Sequence, residues 1–129
     1  MTSPARSGLI LFAHGARDPH WALPFEAVAG RIRAARPEVP VRLAFLEFMS
    51  PGLPDAAAQL VALGCQSLQV LPMFLGAGGH VRKDLPVLLD NIRLAHPGVQ
   101  VALANAIGEI ESVTQAMADA ALELIGPAA

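Results

Sequence analysis

The stretch GLILFAHG, residues 8–15, decides the fold. Its apolar part, Gly8 to Ala13, is continuous rather than alternating, as suits a strand buried on both faces, and it ends abruptly in His14-Gly15. Strands of that kind belong to parallel sheets, so the rest of the chain must supply more strands and the helices that cross between them.

Past the polar turn HGARDP, the apolar positions Trp21, Phe25, Val28, Ile32 and Ala35 recur at steps of 4, 3, 4 and 3, which predicts an amphipathic helix that Pro37 stops. The run VPVRLAFLEF, 39–48, reads as an outer strand carrying Glu47 near its C-terminal end. In SPGLPDAAAQLVALG, 50–64, Ser50 is placed to cap a helix with Pro51 at its first position and Pro54 in its first turn, and Gly64 is a natural stop. SLQVLPMFL, 67–75, is strand material until Pro72, which cannot donate to a ladder, and the loop GAGGH, 76–80, follows. Asp84 is then a candidate cap for a helix with Leu85, Leu88, Ile92 and Ala95 on one face, broken by His96-Pro97-Gly98. VQVALA, 99–104, is the fourth strand. A last helix carries Ile110, Val113, Met117, Ala121 and Leu124 on one stripe before Gly126-Pro127, and Ala128-Ala129 are expected to fray.

The order is β-α-β-α-β-α-β-α. Right-handed crossovers turn it into an α/β fold: a four-stranded parallel sheet in the order 2-1-3-4, flanked by helices on both faces, flavodoxin-like, with its switch point between strands 1 and 3. A length of 129 residues fits a single domain over 1–129. With 53% hydrophobic and 16% charged residues the chain is too apolar for disorder. Nine basic residues against eleven acidic ones leave a net charge of −2 and no global field, so neither nucleic acid nor a membrane surface is an expected partner. The N-terminal apolar run is too short for an export signal or a bilayer span, and the lone Cys65 excludes an internal disulfide. A cytoplasmic location is the expectation.

Ligands of open α/β sheets bind beyond the carboxyl ends of the strands at the switch point. The residues just past those ends are His14, Glu47 and, closing the glycine loop, His80. Two imidazoles and a carboxylate on one edge suit a divalent ion such as Co, Fe, Ni or Zn and supply a base for proton transfer. Arg17, Arg82 and Lys83 would add local positive charge there, attractive to a carboxylate-bearing ligand. Gly76, Gly78 and Gly79 allow a loop to approach a ligand closely. A phosphate cradle is the rival reading, but no Gly-Lys-Ser/Thr follows and the GxGxxG spacing is absent. His20 and His96, at helix ends, read as structural. Met49 and Met73 flank strand ends and either line a pocket or fill the core. Cys65 has no nearby base and is not expected to be a nucleophile.

Three segments, LILFAHGARDP (9–19), AFLEFMSPGLPDA (44–56) and LPMFLGAGGHVRKDLP (71–86), together resemble the class II chelatases that insert a divalent metal into sirohydrochlorin, in their small CbiX-like form. The specific parts are the HG turn after strand 1 and the P-x-F-L-x-x-G-x-H-x-x-x-D-[IL]-P stretch after strand 3. The resemblance implies that His14 and His80 bind the incoming metal and act on the macrocycle's N–H protons, with Glu47 assisting. It also implies a homodimer whose subunits face each other across the tetrapyrrole, since duplicated family members are about twice as long. The metal, Co²⁺, Fe²⁺ or Ni²⁺, would be a substrate, with no tightly bound cofactor, and the product would serve cobalamin or siroheme biosynthesis. Gly78, Gly79, Arg17, Arg82 and Lys83 are the expected contacts to the ring and its carboxylates. Leu46, Met49, Met73, Phe74 and Leu75 are the expected apolar wall. The chain departs from the family at Ala16, where a serine is frequent. A non-catalytic metal or tetrapyrrole carrier and a flavodoxin-like regulatory or nucleotide-binding module are the competing readings.

Overall fold

Continuous apolar runs bounded by turn residues become strands here because both faces of the sheet they form are covered over part of its width. The structure, a computed structural model, describes residues 6–76 and 78–127, and of His80 the backbone alone. Strands β1 (Arg6–Ala13), β2 (Val41–Phe45), β3 (Cys65–Pro72) and β4 (Gln100–Leu103) alternate with helices α1 (Leu23–Ala35), α2 (Leu53–Ala62), α3 (Gly79–Ala95) and α4 (Glu111–Glu123). Short 3-10 turns at Pro19–Ala22 and Ile107–Glu109 precede α1 and α4. All pairings are parallel and the strand order is β2-β1-β3-β4, as the alternation of runs predicts. Leu11 of β1 stands between Leu43 and Leu71, which fixes the register at the centre of the sheet.

Alternate residues of each strand face opposite sides. Ile10, Phe12, Leu68, Val70 and Val101 meet Leu53, Ala56, Ala57 and Leu60 of α2 and Leu85, Leu89 and Ile92 of α3 in the main core. On the other side Leu11 and Val41 meet Ala29 of α1, and Ala13 and Phe45 meet Ala22. α4 buries none of its residues and packs against the 3-10 turn before it.

Several local expectations are corrected. β2 ends at Phe45 rather than Phe48: Phe45 N–H donates to the Pro51 carbonyl (2.9 Å) and Phe48 takes a φ of 68°, which turns the chain out of the sheet. Ser50 is not a cap. Gly52 holds the N-cap position of α2, Pro54 falls in the first turn as expected, and Gly64 follows the helix with φ +93°. Trp21 lies in the 3-10 turn, so α1 begins two residues after it, and Val28 of its expected stripe is exposed. α3 starts at Gly79 with Gly78 as its N-cap, so Asp84 lies inside the helix, and Gly79 and the His80 backbone belong to the helix rather than to a loop. Half-buried Val81 packs against the main core, which favours continuing the helix back to the glycines despite Pro86 in its interior. That proline has no N–H to offer the Arg82 carbonyl four residues back. The expected fraying of Ala128-Ala129 falls outside the described residues. Among those described, no helix is long and apolar enough to cross a membrane.

Candidate functional site

At the carboxyl ends of β1 and β2 the chain continues the ladder beyond the strands themselves. Leu46 N–H donates to the Ala13 carbonyl (3.0 Å) and Glu47 N–H to the His14 carbonyl (3.1 Å). The approach is possible because residue 15 is glycine: a Cβ there would stand 1.9 Å from the Glu47 carbonyl oxygen, and φ is +93°. The HG dipeptide is thus a matched pair, a functional side chain followed by the one residue type that lets the neighbouring strand end close over it.

The consequence is a side-chain contact. His14 Nε2 lies 3.0 Å from Glu47 Oε1, with both side chains half-exposed. The Phe74 ring packs edge-on to the imidazole at 6.4 Å and to Phe12 at 6.0 Å, so it braces His14 from the main-core side. His14 and Glu47, with Leu46 and with Val81, Asp84, Leu85 and Leu88 of α3, line a cavity of about 280 Å³. Two ligand atoms at right angles around a divalent ion, each about 2.1 Å from it, are about 3.0 Å apart. The observed pair has that separation. It can also act as a base, since a Glu47 carboxylate accepting from Nε2–H leaves the lone pair on Nδ1.

The other expected site residues are distributed unevenly. The His80 side chain lies outside the described residues; its backbone begins α3. Phe74 faces His14, whereas Met73, one residue away, packs on the opposite side of the sheet against the cluster of Ala13, Ala22 and Phe45. Leu75 is exposed, and a Cβ on Gly108 would stand 2.0 Å from its carbonyl oxygen. Gly108 therefore anchors the loop after β3, which sequence reasoning missed. Added Cβ atoms at Gly78 and Gly79 would meet open space. Arg82 turns toward β4, 3.6 Å from Glu109, and lines a separate cavity with Pro72 and Asn105. Lys83 is exposed. Arg17 lies over the Phe48 ring, 5.0 Å from its centroid. His20 bonds the Asp18 carboxylate and His96 closes α3, both structural positions. Cys65 is buried in the main core, which pushes its thiol up against the opposing pull of Arg6 and Arg42. Among the described residues, no group of three or more His, Cys, Asp and Glu side chains is placed to hold a metal.

The sequence profile of the CbiX family matches residues 8–124. The chain belongs to the CbiX family. A relative from Sulfurisphaera tokodaii named sirohydrochlorin cobaltochelatase is 27% identical over 118 residues, covering 92% of this chain and 93% of its own. The crystal structure of a CbiX protein from Marinobacter aquaeolei VT8 superposes with a TM-score of 0.81 at 30% identity, covering 92% of this chain and 97% of that one. SirB from Bacillus subtilis, solved with Fe³⁺, shares the fold with a TM-score of 0.78 at 23% identity. There 95% of this CbiX-family chain matches 48% of a chain about twice as long. The family resemblance read from the HG turn and the glycine-histidine stretch is borne out, and so is the fold.

Proposed function

We propose that this chain is a chelatase that inserts a divalent metal ion into a sirohydrochlorin-type tetrapyrrole, with cobalt as the first-choice metal and Fe²⁺ or Ni²⁺ as further substrates. The observation that carries the reading is the half-exposed His14–Glu47 pair, 3.0 Å apart at the sheet's carboxyl edge. The name shared by same-length relatives supports it. Insertion exchanges two pyrrole N–H protons for one M²⁺ with no change in electron count. His14 and Glu47 receive the ion as it sheds water, and His14 and His80 each accept one of the two ring protons and pass it to solvent. His80, at the start of α3, is the second imidazole in this reading, and Phe74 with Leu46 and Leu75 offers an apolar wall. The metal is a substrate rather than a resident cofactor, and the product enters cobalamin or siroheme biosynthesis in the cytoplasm.

The residues act as one chelatase-like domain, and two copies form the working unit. Drug-sized ligands occupy cavities of about 300–1,000 Å³ and a tetrapyrrole belongs at the top of that range. The 280 Å³ cavity beside His14 accommodates an edge of such a ring, not the whole. The bare α4 also favours a second copy, because an isolated helix this short is marginal in water.

The test is an anaerobic absorbance time course of sirohydrochlorin with Co²⁺, Fe²⁺ or Ni²⁺ at catalytic protein concentration. Wild type is expected to turn over many times. His14→Ala should lose roughly 10²–10⁴-fold, the usual contribution of a positioned acid–base group, and Glu47→Gln roughly 10–100-fold, as for groups that orient a metal-binding histidine. Saturation at one equivalent per site would instead identify a carrier, and identical traces with and without protein would end the catalytic reading.

A further inference from the structure

Phe48 is the one non-glycine with positive φ among the described residues, at 68°, and its side chain is 57% exposed. A bulky side chain in the left-handed region is a true outlier. The turn itself is dictated by its surroundings: Phe45, Leu46 and Glu47 N–H groups are all committed, to the Pro51, Ala13 and His14 carbonyls. The backbone at 48 therefore has to reverse, and glycine would do so without strain. What the fold does not need at this position is a large aromatic ring in water.

The ring does have a contact. The Arg17 guanidinium lies over it at 5.0 Å. Arg17 follows His14 by three residues and Phe48 directly follows Glu47, so the contact joins the two loops that carry His14 and Glu47. A guanidinium held over an aromatic face by its carbon keeps N–H groups for a carboxylate, which it grips with two parallel bonds. Strain retained beside a reacting pair is a mark of function rather than of stability.

We propose that Phe48 is a positioning residue that holds the Arg17 guanidinium in place to take a peripheral carboxylate of the ring-shaped substrate, and so sets that substrate's orientation over His14 and Glu47. This rests on the chelatase reading above. It also separates the two arginine candidates: Arg17 binds the ligand, whereas Arg82 faces Glu109 on the β4 side.

The experiment is a metal-free equilibrium titration with sirohydrochlorin, alongside thermal melts, for wild type, Phe48→Gly, Phe48→Tyr, Arg17→Lys and the double variant Phe48→Gly/Arg17→Lys. An exposed cation–π contact corresponds to a change of roughly twofold to fivefold in Kd. Phe48→Gly is expected to weaken binding by that factor while melting no lower than wild type, a pairing that a structural role for the ring does not produce. Phe48→Tyr should restore wild-type affinity. Arg17→Lys should weaken binding at least as much, and the double variant should bind no worse than Arg17→Lys alone. If wild type binds and Phe48→Gly binds equally well, or if the two losses multiply, this inference is overturned while the chelatase reading stands. If wild type fails to bind the tetrapyrrole, both fall together.

Discussion

The two faces of the sheet are built to different standards. Under α2 and α3, residues from three strands and both helices close into one continuous core that takes in Phe12, Leu60, Leu68, Val70 and Leu89. On the opposite face α1 and the 3-10 turn before it cover β1 and β2 through small patches around Ala29 and Ala22, Leu71 and Met73 are half-buried, and α4 packs chiefly on the 3-10 turn that precedes it. Phe74 links the closed face to His14 through its edge-on contacts with Phe12 and the imidazole. α4 and the residues just beyond it leave Met117, Leu122, Leu124 and Ile125 exposed.

The sharpest way to break this contrast is to delete equivalent bulk from each face. Leu60→Ala, in the closed core, should lose about 2–5 kcal/mol of unfolding free energy. Ile32→Ala on α1, half-buried and free to relax, should lose about 1–2 kcal/mol. Urea titrations of both variants check this, and equal losses would mean that the α1 face is as well packed as the other.

A smaller change on the monomer tests α4. Met117→Glu should alter the unfolding free energy of dilute protein by no more than about 0.5 kcal/mol, as surface changes do. If α4 is covered by a second copy, sedimentation should show the variant shifted from dimer to monomer. An unshifted dimer would place the subunit contact elsewhere.

The smallest effect belongs to Cys65 in the closed core. Burial raises its thiol above the ordinary value of 9.0, so the unfolded chain loses that proton first as the pH rises. Stability should therefore be fully held below about pH 9 and decline above it. Denaturation curves of Cys65→Ala should show a shallower alkaline decline, and disulfide-exchange reagents at pH 8 should modify the native thiol only through opening of this face. Prompt modification would show the closed core to be looser than its packing implies.

Much of this molecule is readable along the chain. The unbroken apolar run at 8–13 and the largely apolar run at 67–72 marked the buried strands, helical spacing marked the crossovers, and the handedness of crossovers reduced the topology to one simple order. His14 and Glu47 were legible as site candidates because the fold class says where strand ends collect. The errors were local signals overridden from a distance. Ser50 and Asp84 have the chemistry of caps, but the chain between Phe45 and Gly52 is bound to neighbouring backbone, and the first turns of α3 are drawn onto the core by Val81 and Leu85. Met73 and Phe74 looked like one apolar wall, yet the pleat sends them to opposite faces.

Strand number, helix positions and sheet order follow from patterns a few residues wide, since hydrophobic periodicity is a local property and crossover chirality a general one. Contacts between distant segments do not. The His14–Glu47 bond joins residues 33 apart in sequence and exists because a missing Cβ at Gly15 admits the Glu47 carbonyl. The Arg17–Phe48 contact likewise joins two segments distant in sequence, and α4 packs chiefly on the 3-10 turn before it. Those are matters of register and close approach, measured in ångströms between segments, and only the folded chain brings such segments together.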